Sequence, residues 1–147
     1  MRNKKFVLDA NIWVSYFISE QITYLTKAIS AKRITIFYCT ELMAEVKRVL
    51  NYPHLKKYGI NVKGAVKIIK SIAVVHTLSY PIKRYIPTDK DDDYVIALAL
   101  QTNSGFVTSG DRNILDEKEN LEKKYTKLKI LTKAEFENRL MNREKHS

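Results

Sequence analysis

The 147-residue chain contains one cysteine, Cys39, which excludes a disulfide framework and a thiolate metal site. Its three histidines, His54, His76 and His146, stand far apart and share no metal-binding spacing. A glycine-rich phosphate loop, a zinc motif and a Ser-His-Asp grouping are all missing. The apolar run ahead of Asp9 is too short for a signal peptide or a membrane span, so a cytoplasmic protein without membrane contact is expected. Internal repeats and low-complexity linkers are absent as well. With 45% hydrophobic and 29% charged residues, the chain reads as one domain over residues 1–141 with a polar tail over 142–147.

The most informative absence is of negative charge. From Val46 to Thr88 there is no Asp or Glu, while Lys47, Arg48, Lys56, Lys57, Lys63, Lys67, Lys70, Lys83 and Arg84 supply nine cations. Nearly all of the net charge of +10 falls in this segment, and Tyr52, Tyr58, Tyr80 and Tyr85 are interleaved with it. Such a stretch suits a phosphate backbone with rings for stacking on unpaired bases. It equally suits a solvated face that keeps the protein soluble.

What is present alternates in period. Lys5–Leu8, Ile34–Tyr38, Gly105–Ser109 and Leu128–Leu131 are short apolar or β-branched runs that read as strands. Helices are expected over Asn11–Ile18, Tyr24–Lys32, Asn61–Val74 and Asp91–Gln101. Two more are expected from caps at Thr40, running to Leu50, and at Thr132, running to Leu140. Trp13 and Cys39 fit packing better than chemistry. Strands alternating with helices argue for an α/β fold with a parallel sheet covered on both faces, in which sites form beyond the carboxyl ends of the strands.

Four acidic stations lie at the edges of those segments: Asp9, Glu45, the triplet Asp91-Asp92-Asp93, and Asp111. Asp9 and Asp111 each follow a strand and could simply cap the next helix. On the helix after Thr40, Leu42, Val46, Val49 and Leu50 mark the buried stripe, with Glu45 at its border and Glu41 further toward solvent. The triplet exceeds what capping needs. The residues after it are nearly all apolar, so periodicity does not select one acid firmly, although spacing to Ile96, Ala97 and Leu100 favours Asp93. Asn11 could orient Asp9 through its amide. Carboxylates gathered by folding repel one another unless a cation joins them, and a hard ion such as Mg²⁺ or Mn²⁺ prefers oxygen ligands. Its usual company is phosphate, so a metal-dependent nuclease is the first hypothesis.

The pieces FVLDANIWVS, ELMAEVKRVL, DKDDDYVIALAL, GFVTSGDRNIL and KILTKAEF, in that order, resemble the PIN-domain ribonucleases, in particular the toxins of toxin–antitoxin pairs. The resemblance implies a three-layer α/β/α sandwich with a parallel sheet of about five short strands. It implies cleavage of RNA with Mg²⁺ or Mn²⁺ held by Asp9, Glu45, Asp93 and Asp111, supported by Asn11, Asp92, Ser109 and Asn113. Lys47, Arg48, Lys56, Lys57, Lys83 and Arg84 would hold flanking RNA phosphates. A small antitoxin protein that blocks the cleft, and a homodimer, are implied partners. Ala10 stands where the family often has Thr, and Asn113 where many members carry Asp. A phosphatase of the haloacid dehalogenase type also places Asp after its first strand, but it needs an acid where Asn11 stands. The remaining alternative is a non-catalytic RNA-binding or partner-binding module on the same fold.

Overall fold

The computed structural model describes residues 4–32 and 34–145; His146 and the end of the expected tail lie outside them. The first strand, β1 (Lys4–Leu8), is central, and its Phe6, Val7 and Leu8 are fully buried. Helices α1 (Ala10–Ile18) and α2 (Ile22–Lys32) lead to β2 (Ile34–Tyr38), and α3 (Thr40–Leu50) follows. A 3₁₀ segment, Pro53–Tyr58, precedes α4 (Val62–Ile72) and β3 (Val74–Val75). A second 3₁₀ turn, Lys90–Asp92, opens α5 (Asp93–Gln101), which leads into β4 (Phe106–Thr108). The chain ends with α6 (Arg112–Asp116), α7 (Lys118–Lys124), β5 (Lys129–Leu131) and α8 (Lys133–Lys145).

All five strands are parallel, in the order β3-β2-β1-β4-β5, and helices flank the sheet as the alternating pattern leads one to expect. Parallel strands must hide both faces, which is why Phe6, Val7 and Leu8 of β1 form a continuous apolar run rather than alternating. Phe6 stacks on Phe106 of the neighbouring strand at 4.7 Å between centroids and meets Phe136 of α8 edge-on at 5.2 Å. Trp13, Tyr16 and Cys39 are buried in the same core. Among the described residues no helix is long and apolar enough to cross a membrane.

Several boundaries differ from the sequence pattern, each for a local reason. Val74 is not the end of a helix; α4 stops at Ile72, and Val74 and Val75 form a fifth strand at the sheet edge beside β2. Their β-branching favours the extended backbone, but two residues are too few to show a period. Thr40 lies inside α3 rather than capping it: Cys39 occupies the cap position, and the Thr40 hydroxyl donates to Glu41. Thr132 does cap α8, its Oγ1 accepting from Glu135 N–H while the Glu135 carboxylate accepts from Thr132 N–H, a reciprocal box. That helix runs on to Lys145, beyond Leu140 where the pattern ends.

Candidate metal centre

The register of the central strands assembles the site. Leu8 of β1 pairs with Thr108 of β4, so the next residues of the two strands, Asp9 and Ser109, emerge side by side. The backbone continues the ladder, with Asp9 N–H donating to Thr108 O at 2.9 Å. This is the crevice beyond the strand carboxyl ends, where β1 is followed by β2 on one side and has β4 on the other. Ser109 Oγ donates to Asp9 Oδ2 at 2.8 Å and accepts from Asp111 N–H at 3.0 Å. Asp9 also accepts from Ala10 N–H, and Asp111 from Asn113 N–H, both at 2.8 Å. Each aspartate therefore caps its helix and faces the crevice as well; the two roles do not compete.

A cleft of about 230 Å³ opens here, lined by Asp9, Ala10, Asn11, Glu45, Arg48, Asp89, Asp91, Asp92, Tyr94 and Asp111. Asp9, Glu45 and Asp111 come together at it as the sequence suggests, and Asn11 joins them. The triplet divides differently. Helical spacing and family order favour Asp93, but Asp92 lines the cleft and Asp93 does not. The cause is the 3₁₀ turn Lys90–Asp92, capped by Asp89, which sets the rotation of α5. Successive residues in such a turn point about 100–120° apart, so neighbouring aspartates face different surroundings.

Asp93 is 3% exposed and its oxygens are already taken. Oδ1 accepts from Tyr85 N–H at 2.9 Å and Ile86 N–H at 2.7 Å, and Oδ2 pairs with Arg84 Nε at 3.2 Å. Arg84, expected at RNA phosphates, is thus engaged with Asp93, and it also donates to Pro87 O. Lys47, Lys56, Lys57 and Lys83 are exposed and do not line the cleft, whereas Arg48 does. Asn113 turns its amide oxygen to the Thr88 hydroxyl at 2.9 Å. Tyr94, which sequence patterning does not single out, lines the cleft one place after Asp93. Its signal is a ring with a polar tip opening an otherwise apolar helix.

The electrostatics are those of carboxylates crowded into one cleft. Burial pushes Asp92 up to about 7, with repulsion from Asp111, Asp9 and Asp89 adding to it and a hydrogen bond to Asp111 favouring the protonated form. Asp92 Oδ2 is buried without a hydrogen-bond partner among the described residues. Burial also raises Asp9; the Ser109 and Ala10 hydrogen bonds pull it back, while Asp111 and Glu45 push it further up. The Tyr94 phenol is raised by burial and by Asp9.

Asp92 keeps its proton to about pH 7 in the folded chain but only to the ordinary value of 3.8 when unfolded. The folded state therefore binds more protons between these values, and stability falls as pH rises through that window. Asp9 acts in the same direction. With solvent screening of half-exposed Asp92 allowed for, the effect is on the order of 1 kcal/mol, or about 2–4 °C. In chelator, the melting temperature is expected to fall by that much from pH 5 to pH 8, and Asp92→Asn to flatten the fall. A profile unchanged by Asp92→Asn would show that this carboxyl titrates normally.

The donor set suits a hard divalent ion: several carboxylates, an amide, and no sulfur or imidazole. The orphaned Asp92 oxygen marks a position where a cation would be stabilised. Among the described residues, however, no three His, Cys, Asp or Glu side chains already stand as a finished metal site. Glu45 explains part of this, because its carboxylate is turned to Arg48, which donates to both of its oxygens. The residues fit a metal.

A parallel α/β fold with an acidic crevice at the ends of β1 and β4 defines the class. A family model described as PIN domain matches residues 5–113, and the chain belongs to that family, whose members are typically metal-dependent nucleases. No curated protein matches the chain.

Proposed function

We propose that the protein is an endoribonuclease that hydrolyses RNA phosphodiester bonds with Mg²⁺ or Mn²⁺ held by Asp9, Asp92, Asp111 and Glu45. The observation that carries this is the Asp111–Ser109–Asp9 hydrogen-bond chain at a cleft that Asp92 also lines, with one Asp92 oxygen buried and without a hydrogen-bond partner among the described residues. When bound, the ion supplies Lewis-acid polarisation of the scissile phosphate and acidifies the attacking water. The chain's own residues do the rest. Ser109 fixes the orientation of Asp9 by donating to one oxygen while Ala10 N–H holds the other. The Asn113 N–H holds Asp111, and Asn11 offers an exposed amide at the mouth.

Asp93, which the resemblance assigns to the metal, serves in this proposal to anchor the loop before α5. Lys47, Lys56, Lys57 and Lys83 supply exposed cations for flanking phosphates from the acid-free segment, a sequence-independent role. The resemblance to toxins supports a finer proposal, that a small antitoxin protein covers the acidic cleft and that the protein pairs as a homodimer.

The test is incubation with a panel of single-stranded and folded RNAs in Mn²⁺ or Mg²⁺. Cleavage is expected to vanish with chelator and in Asp9→Asn, and to return when metal is restored. RNA left as intact by the wild type as by Asp9→Asn would favour a non-catalytic RNA-binding or partner-binding module.

A further inference from the structure

Arg48 is the one cation among the described residues lining the cleft, yet it is not free to meet a ligand there. Its Nε donates to Glu45 Oε2 at 3.1 Å and its Nη2 donates to Oε1, so a single guanidinium occupies both carboxylate oxygens. Its Nη1 donates to the Tyr52 hydroxyl at 2.7 Å, and the group lies 5.7 Å from the Tyr52 ring centroid. Tyr52 thus helps to hold the fork in place. The Arg48 and Glu45 side chains are 61% and 32% exposed and three residues apart on one helix. A pair so exposed is worth little and opens readily.

A carboxylate that accepts two donors from one guanidinium cannot ligate a hard cation with those lone pairs until the pair opens. A phosphodiester matches the same planar fork and carries a full negative charge, so it is a natural competitor for Arg48. Resting on the nuclease function proposed above, we propose that Arg48 is a latch and positioning residue. In the free protein it acts as an internal counter-cation that withholds Glu45 from the metal; in the complex it moves to an RNA phosphate and releases Glu45. Metal and RNA then each favour the other's binding by the same factor, because both draw on the opening of one ion pair.

The test is Mn²⁺ binding by titration calorimetry, without RNA, to the wild type, Arg48→Met, Glu45→Gln and the double variant. Arg48→Met is expected to bind Mn²⁺ about two- to fivefold more tightly than the wild type. In the Glu45→Gln background the same substitution is expected to give no such gain, which separates release of Glu45 from simple removal of a positive charge. In chelator, Arg48→Met is expected to bind single-stranded RNA more weakly, with a salt slope lower by about one. Unchanged or weaker Mn²⁺ binding in Arg48→Met, or a gain that persists without Glu45, would overturn the latch. If the wild type shows no measurable binding, a binding Arg48→Met supports it and a silent one overturns it. RNA cleavage by the wild type judges the nuclease proposal separately, since the calorimetric cycle gives its answer whether or not RNA is cut. Arg48 is exposed, and circular dichroism checks that each variant is folded.

Discussion

Asp92→Asn is expected to lower the rate of RNA cleavage in saturating Mn²⁺ by roughly a hundred- to a thousandfold, the loss typical of removing a well-placed electrostatic group from a reaction centre. The substitution keeps the shape of the side chain and removes its charge. Asp92 stands among Asp9, Asp89 and Asp111, so losing one of these like charges relieves repulsion in the metal-free protein. The variant should therefore melt at the same or a higher temperature in chelator while losing affinity for Mn²⁺. That combination, an inactive protein that is no less stable, distinguishes a functional carboxylate from a structural one. Full activity in Asp92→Asn, together with a folded but inactive Asp93→Asn, would move the role to the neighbouring residue.

Asp93→Ala is expected to act in the opposite way, by destabilising the fold. It would strip the acceptor from two backbone N–H groups, those of Tyr85 and Ile86, and leave Arg84 without its partner. An unsatisfied buried N–H costs about 1–3 kcal/mol, and the half-exposed Arg84 pair adds little, so a total on the order of 3–5 kcal/mol follows. For a domain of this size that is a fall of about 10 °C or more in melting temperature, readable with urea titration as a lower midpoint at constant slope. Mn²⁺ affinity of the folded variant, measured well below its transition, should stay close to wild type. A variant as stable as the wild type would show that the loop before α5 does not depend on this carboxylate.

Adjacent positions with opposite expected effects show where sequence patterning stops being informative. Asp91, Asp92 and Asp93 precede a helix that is apolar nearly all round, with Val95 through Ala99 buried, so no exposed face fixes the phase of the acids. What fixes it is the 3₁₀ turn begun by Asp89 and the capture of Asp93 by backbone groups of Tyr85 and Ile86. Those donors lie in an irregular segment without periodicity, and nothing in their side chains announces the contact. Arg84 is hidden for the same reason: a cation in a basic stretch reads as a phosphate ligand until its partner is seen.

Glu45 shows the converse. The stripe of Leu42, Val46 and Val49 is strongly amphipathic, so its border position is legible from spacing alone, and the structure puts it at the cleft. Its engagement with Arg48 was less legible, since the (i, i+3) spacing permits such a pair without requiring it. Asp9 was legible because a continuous apolar run ending in an acid marks the carboxyl end of a buried parallel strand, and Asp111 because it follows such a strand after the Ser109-Gly110 turn.

The alternation of apolar strands and amphipathic helices was by itself enough to indicate the parallel α/β class, the burial of Phe6-Val7-Leu8, and the place of Asp9 and Asp111 at strand carboxyl ends. These follow from local period and from the need to bury both faces of a parallel sheet. Tertiary structure alone decided that Asp92 rather than Asp93 lines the cleft, that Val74 and Val75 close the sheet, and that Arg48 pairs with Glu45. Each depends on the angle at which a side chain leaves the backbone and on a partner distant in the chain or optional at its spacing. Neither is encoded in the order of residue types along one segment.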